Sequence, residues 1–226
     1  MRGEATDESW DFLELLADDD RRELEARAGR RRFKAGSTLM HEGGPGAEVL
    51  LILSGRVKIA VTTADGREVV LRFCGPGELV GELSVIDQRP RSGTTEALEP
   101  VEALAISAAE FRAMAERSPS FATALLRSLI VRFRDADRKR VEFAAAQTLG
   151  RVAMRLLELA DRHGEPADEG IAITLPLSQE ELAGWTGSSR EAVAKALHTL
   201  RDLGCIRTER RRITVLDEAA LRRQAA

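Results

Sequence analysis

The chain has 226 residues, 43% of them hydrophobic and 31% charged, with a formal net charge of −3. That length suits two modest domains, and the composition is that of a soluble globular protein. Cys74 and Cys205 lack CxxC spacing, and His41, His163 and His198 are scattered, which argues against a disulfide framework, a zinc or iron–sulfur centre and a His-rich metal site.

The first residues, MRGEATDESWDF, are acidic and unlike a signal peptide. No apolar run approaches the ~18 residues of a membrane span. A cytoplasmic protein without a membrane partner is the expectation. Residues 10–28, WDFLELLADDDRRELEARA, carry helical spacing with an acidic interruption and predict one or two short helices.

From Arg32 to about Ile106 the pattern changes to short runs punctuated by glycine. VLLILSG, RVKIAV and EVVLRF read as strands, with turns at Gly55, Asp65-Gly66 and Gly75-Pro76-Gly77. Val57, Ile59 and Val61 alternate with Lys58 and Ala60, and Val69, Leu71 and Phe73 repeat the alternation. Short strands with frequent turns predict a small β-barrel or roll, whose mouth is a natural ligand site.

Within this region VGELSVIDQRPRSG (80–93) sets Glu82 among Val80, Leu83, Val85 and Ile86. A lone buried carboxylate costs several kcal/mol or takes up a proton. Either Glu82 and Arg91 satisfy each other, or both serve something that enters from outside.

Ser118-Pro119 is a helix start, a cap followed by proline at the first helical position, and helical spacing then continues to about His163 with one break. Leu125, Leu129, Phe133, Ala136, Arg140 and Phe143 continue a seam that begins at Phe121. A seam this long suits pairing with a second copy of the chain; the other reading is a core helix of one domain. Arg140 interrupts the apolar stripe, and either snorkels or meets an acid on the partner.

The remaining sequence is more specific. Ser178 followed by Glu181 forms a capping box before Leu182. Gly187 sits where a tight turn leaves the first helix, and Ser188 or Ser189 can cap the second. Ala192, Val193, Ala196, Leu197 and Leu200 keep helical spacing up to Gly204. Two short helices about a glycine turn form a helix-turn-helix, and CIRT with RITVL forms a hairpin, a wing, tipped by residues 209–212.

Between Arg190 and Arg212 seven basic residues face three acids; the alternative to a nucleic-acid face is a solvated charged surface. The second helix of a helix-turn-helix places its first residues against base edges in the major groove. Arg190, Glu191 and Lys195 hold those positions: arginine and lysine can meet guanine, and glutamate can accept from cytosine. Ser188, Ser189, Arg201, Arg210, Arg211 and Arg212 are expected to hold phosphates.

A roll, a long seam helix and a winged helix in this order resemble the CRP/FNR family of bacterial transcription regulators, from about Phe33 to Leu216. SREAVAKALHTLRDLG resembles its recognition helix, LGRVAMRLLELA the helix opening its DNA-binding domain, and GELSVIDQRPRSG its phosphate-binding cassette. The resemblance implies an α+β fold. Residues 1–117 would form N-terminal helices and a cyclic-nucleotide-binding β-roll, 118–146 a dimerisation helix, and 147–226 a winged helix-turn-helix.

It also implies a cyclic nucleotide, cAMP or cGMP, with no metal and no catalysis. Gly81 would let the backbone approach closely, Glu82 would accept from the ribose 2′-hydroxyl, and Arg91 would meet the phosphate. Ser92 and amides near Leu83 and Ser84 would help. Ala136 and Asp137 stand where cAMP-responsive members place a threonine and a serine or asparagine. Ala136 offers no hydrogen bond, whereas Asp137 can accept from an exocyclic amine, so the base stays open.

The expected partners are double-stranded DNA and a second copy, with contact to RNA polymerase left open. Lys195 stands where cAMP-responsive members carry arginine and lacks its planar fork. Two alternatives remain: the same fold binding DNA without a nucleotide, and a cupin-like metalloenzyme, for which only His41-Glu42 is available.

Overall fold

A computed structural model describes residues 11–209 and 212–225, apart from the side chain of Ala145. The chain divides into two compact units: the described part of 1–61 with Arg72–Asp137, and Thr62–Leu71 with the described part of 138–226.

The first unit opens with two short helices, α1 (Phe12–Leu15) and α2 (Asp18–Arg27). The Asp11 carboxylate caps α1, accepting from the Leu13 and Glu14 amides at 2.8 and 3.2 Å. Three aspartates in the first turn of α2 suit its positive end. Eight strands follow: β1 (Gly29–Phe33), β2 (Thr38–Met40), β3 (Glu48–Ser54), β4 (Val57–Thr62), β5 (Glu68–Cys74), β6 (Leu79–Val80), β7 (Thr94–Ala97) and β8 (Val101–Ser107). They form two sheets ordered β1-β8-β3-β6 and β2-β7-β4-β5.

The two-residue period of β3 divides its side chains between two cores. Val49 and Leu51 join Phe12, Leu24, Phe111 and Phe121 on one face, and Leu50 and Ile52 join Val57, Val80 and Ala103 on the other. Phe121 meets Phe12 and Phe111 edge-to-face, with centroids 5.5 and 5.4 Å apart. The alternation expected along β4 and β5 is only partly kept. Lys58 is buried opposite Glu96 of β7, 3.5 Å from its carboxylate, and Leu71 is exposed while Val70 is buried.

Helix α3 (Glu82–Ile86) lies between β6 and β7, and α4 (Ala108–Arg117) follows β8. The sequence reading passed over α4, although Ser107 caps it by accepting from the Glu110 amide at 3.2 Å. The long helix α5 (Pro119–Ala145) begins as expected, the Ser118 hydroxyl accepting from the Phe121 amide at 3.2 Å.

Of the expected seam, Phe133, Ala136, Arg140 and Phe143 are exposed, whereas its first residues turn toward the roll. Leu125 is 6% exposed in the Phe111–Phe121 core, and Leu129 packs against that core. The large apolar side chains left exposed at helical spacing are Leu126, Ile130, Phe133 and Val141. The cause is the phase of the helix: once Phe121 and Leu125 are drawn into the roll, the positions one residue further on must face outward.

The second unit contains α6 (Thr148–His163), β9 (Gly164–Pro166), β10 (Ile171–Ile173), α7 (Gln179–Thr186), α8 (Arg190–Asp202), β11 (Ile206–Glu209), β12 (Arg212–Val215) and α9 (Glu218–Ala225). Its sheet runs β11-β12-β10-β9, so the expected hairpin is extended by two further strands. Val152, Leu156 and Leu159 of α6, Leu182 and Trp185 of α7, and Val193, Leu197 and Leu200 of α8 are buried, each set at the three- or four-residue spacing of one helix face. The capping box is present: the Ser178 hydroxyl accepts from the Glu181 amide at 3.1 Å, and the Ser178 amide donates to the Glu181 carboxylate at 2.7 Å.

Candidate functional site

The first unit gathers its buried charges around the start of α3. Gly81 precedes the helix at φ 86°, and a Cβ there would lie 2.4 Å from Nη1 of Arg91 and 2.7 Å from the Met40 sulfur. Only glycine accommodates both the left-handed backbone and that approach.

Arg91, 6% exposed, donates to the carbonyl oxygens of Gly81 at 2.5 Å and Glu48 at 2.6 Å. Among the described residues no carboxylate pairs with it. Burial, only partly offset by Glu48 and Glu82 nearby, lowers its pKa from the ordinary arginine value. A buried guanidinium held by neutral carbonyls is under-compensated, and an anion would complete it.

Glu82 and Arg91 do not satisfy each other. Glu82, 2% exposed, takes its ion pair from Arg132 of α5, Oε1 to Nη1 at 2.7 Å. The pair leaves Oε2 of Glu82 and one Nη of Arg132 buried without hydrogen-bond partners. An acceptor and a donor so placed suit a hydroxyl group, which can give to one and take from the other. Arg132 was not singled out from sequence. Its signal was a charge on the inward face of α5, one turn after Leu129, the same anomaly that marked Glu82.

Ser84 is buried, and a Cβ on Gly46 would lie 2.6 Å from its carbonyl oxygen; Leu83 and Ser92 are exposed. Ala136 and Asp137 are also exposed. Asp137 stands five residues beyond Arg132, over 100° around the helix from it, on the stripe with Phe133 and Val141. The fold therefore brings Gly81, Glu82, Ser84 and Arg91 together and adds Arg132, while Asp137 lies on another face of α5.

The second site is the start of α8. Gly187, at φ 57° and ψ 38°, closes α7 in the left-handed region. Ser189 caps α8, its hydroxyl accepting from the Ala192 amide at 3.2 Å. Arg190, Glu191 and Lys195 are exposed on the first turns. Hydrogen bonds from its own backbone and from Ser189, with the charge of Arg190, hold the Glu191 carboxyl below the usual carboxylate range, so it stands as an acceptor.

Ser188 is otherwise placed than expected. Its amide donates to Ala183 O at 3.0 Å, and its hydroxyl takes Nη2 of Arg151 at 3.1 Å. Both groups are engaged within the module, the hydroxyl as an acceptor for Arg151. Arg201 donates to Thr208 of the wing at 3.1 Å, and Arg212 is exposed beside it. Arg210 and Arg211 lie outside the described residues. Phe143, expected in the seam, packs over this turn: a Cβ on Gly187 would meet its Cε1 at 2.8 Å, and the Arg151 guanidinium lies 5.5 Å from its ring centroid. Arg140 is exposed near the end of α5.

Residues 30–118 match the family model of the cyclic nucleotide-binding domain, and residues 150–224 that of the Crp-like helix-turn-helix domain. A CRP-like cAMP-activated global transcriptional regulator of Mycobacterium tuberculosis is 36% identical over 193 residues, 85% of this chain and 86% of its own. A cyclic AMP receptor protein of Thermus thermophilus is 33% identical, covering 84% of this chain and 88% of its own. Among solved structures, a CRP-family transcriptional regulator from Thermus thermophilus superposes with a TM-score of 0.75 at 28% identity, covering 86% and 96% of the two chains. Two matched domains in this order, and relatives aligned along most of both chains, place the protein in the CRP/FNR family of bacterial transcription regulators.

Proposed function

We propose that this CRP-like regulator is a homodimer whose affinity for DNA is set by a cyclic nucleotide, cAMP or cGMP, bound in its roll. The observation that carries the nucleotide is Arg91, a buried cation whose guanidinium, among the described residues, donates to the carbonyls of Gly81 and Glu48. A cyclic phosphate supplies the missing charge, with Ser92 beside it. The ribose hydroxyl meets Oε2 of Glu82 and the spare nitrogen of Arg132. Exposed Leu126, Ile130, Phe133 and Val141 support pairing of two copies along α5, and Asp137, on that stripe, meets a base only across the pairing. Arg190, Glu191 and Lys195 read bases; Ser189, Arg201 and the wing arginines hold phosphates. The corresponding division is a sensory region over 1–117, a pairing helix over 118–146 and a DNA-binding region over 147–226.

The Glu82–Arg132 pair also gives weight to a second reading, a roll partly satisfied from within and DNA binding without an effector. Calorimetric titration with cAMP, cGMP and cyclic dinucleotides decides between them. One of the two mononucleotides is expected to bind wild type, and Arg91→Ala is expected to abolish that binding. Undiminished affinity in the variant refutes the site, and no heat from any nucleotide favours the effector-free reading.

A further inference from the structure

The second unit holds a group of charges that neither the nucleotide pocket nor the base-reading face uses. Arg155 of α6 is only 2% exposed, yet carries a guanidinium among the packed helices of the DNA-binding module. It forms ion pairs with Glu158, one turn along its own helix, and with Glu142 near the end of α5. The central carbon of the same guanidinium lies over the ring of Trp185, on the first helix of the helix-turn-helix, 5.3 Å from its centroid. Lys139 of α5 adds a second cation, 5.4 Å from the same ring and 3.2 Å from Glu158.

Holding α6 against α7 does not require this arrangement. Apolar side chains of equal volume would pack there at no loss, and often with a gain in stability. What a planar guanidinium adds is direction: its fixed fork of donors engages two carboxylates while its charge lies over the indole. One of those carboxylates comes from α5. With Lys139 one turn earlier, Glu142 fixes how the last two turns of α5 are rotated on the module that carries α8.

We propose that Arg155 is a positioning residue for DNA reading: by pairing with Glu142 while lying over Trp185, it makes the end of α5 and the helix-turn-helix turn as one body. Pairing of two copies along α5 then sets the spacing of the two α8 helices. The inference rests on the dimeric reading given above. It is separate from base recognition, since Arg155 is buried and reaches no DNA.

The test separates positioning from integrity of the module. Duplexes enriched from a random pool by wild-type protein, with cAMP and cGMP both present, supply a two-half-site probe, and scrambling one half gives the single-site probe. A dimer with fixed reading heads favours the first by about 10²-fold or more through effective concentration. Glu142→Gln and Arg155→Met are expected to cut that preference at least about tenfold while single-site affinity, which needs only a folded module, is unchanged. If Arg155→Met lowers single-site affinity as well, Glu142→Gln, which keeps the buried guanidinium paired with Glu158, carries the decision. A full preference retained in Glu142→Gln overturns the role of Arg155. Equal affinity of wild type for the two probes overturns the dimeric reading, and this inference with it.

Discussion

The register of α5 can be decided by two truncations eight residues apart in sequence. Phe133 is 66% exposed and Leu125 6% exposed on the same helix. If the stripe through Leu126, Ile130, Phe133 and Val141 is the pairing face, Phe133→Ala removes most of a phenyl group from the interface. Burying a side chain of that size is worth about 1.5–3 kcal/mol. A two-fold interface contains the residue twice, so dimerisation should weaken by about 3–6 kcal/mol, a factor of about 10² to 10⁴ in Kd. The stability of each protomer should change little, because the ring contributes little to the fold of its own chain. Leu125→Ala should do the reverse. It opens a cavity beside Phe111 and Phe121 and costs about 2–5 kcal/mol of folding stability, with self-association intact in the fraction that is folded. Sedimentation velocity across a concentration series, with urea unfolding of each variant, measures both quantities. Dimerisation lost in Leu125→Ala and kept in Phe133→Ala would refute the phase assigned to the helix.

Two further outcomes are expected. In a cycle of Glu82→Gln, Arg132→Met and the double variant, removing either partner should cost about 3–5 kcal/mol by stranding a buried charge, and removing both should cost clearly less than the sum; additive losses in unfolding of the roll would show that the pair is not coupled. Four cations, Arg201, Arg210, Arg211 and Arg212, are proposed to hold phosphates in each module, and on that proposal log K against log salt falls with a slope of about −3 to −4 per module. A flat response would exclude the phosphate contacts.

What was legible in the sequence was local. The capping box at Ser178 and Glu181, the glycine that closes α7, the Ser118-Pro119 start of α5 and the cap at Ser189 depend on neighbours three or four residues away, and all four are present. The identity of charge partners was not legible, because it depends on contacts across tens of residues. Glu82 could be marked as a buried acid, but Arg132, fifty residues on, lay beyond any spacing rule. Ser188 and Ser189 were equivalent as caps on paper. The turn at Gly187 separates them, directing one hydroxyl toward Arg151 and the other to the start of α8.

The long helix shows how a periodic pattern can be right about an element and still join two of its faces in one stripe. Phe121, Leu125 and Leu129 do form a stripe, and Leu126, Ile130 and Phe133 form another beside it. Spacing alone says nothing about which stripe the roll takes. The charges do carry that information. Extending the first stripe by one turn reaches Arg132, which turns inward to meet the buried Glu82. A helix face that ends in a charge with a buried counterpart is directed toward its own chain, and the uninterrupted apolar face beside it is left for a partner. By that reasoning Arg132 was the residue that fixed the register, while Arg140, the apparent flaw in the stripe, is an exposed residue that the phase of the helix leaves outside the core.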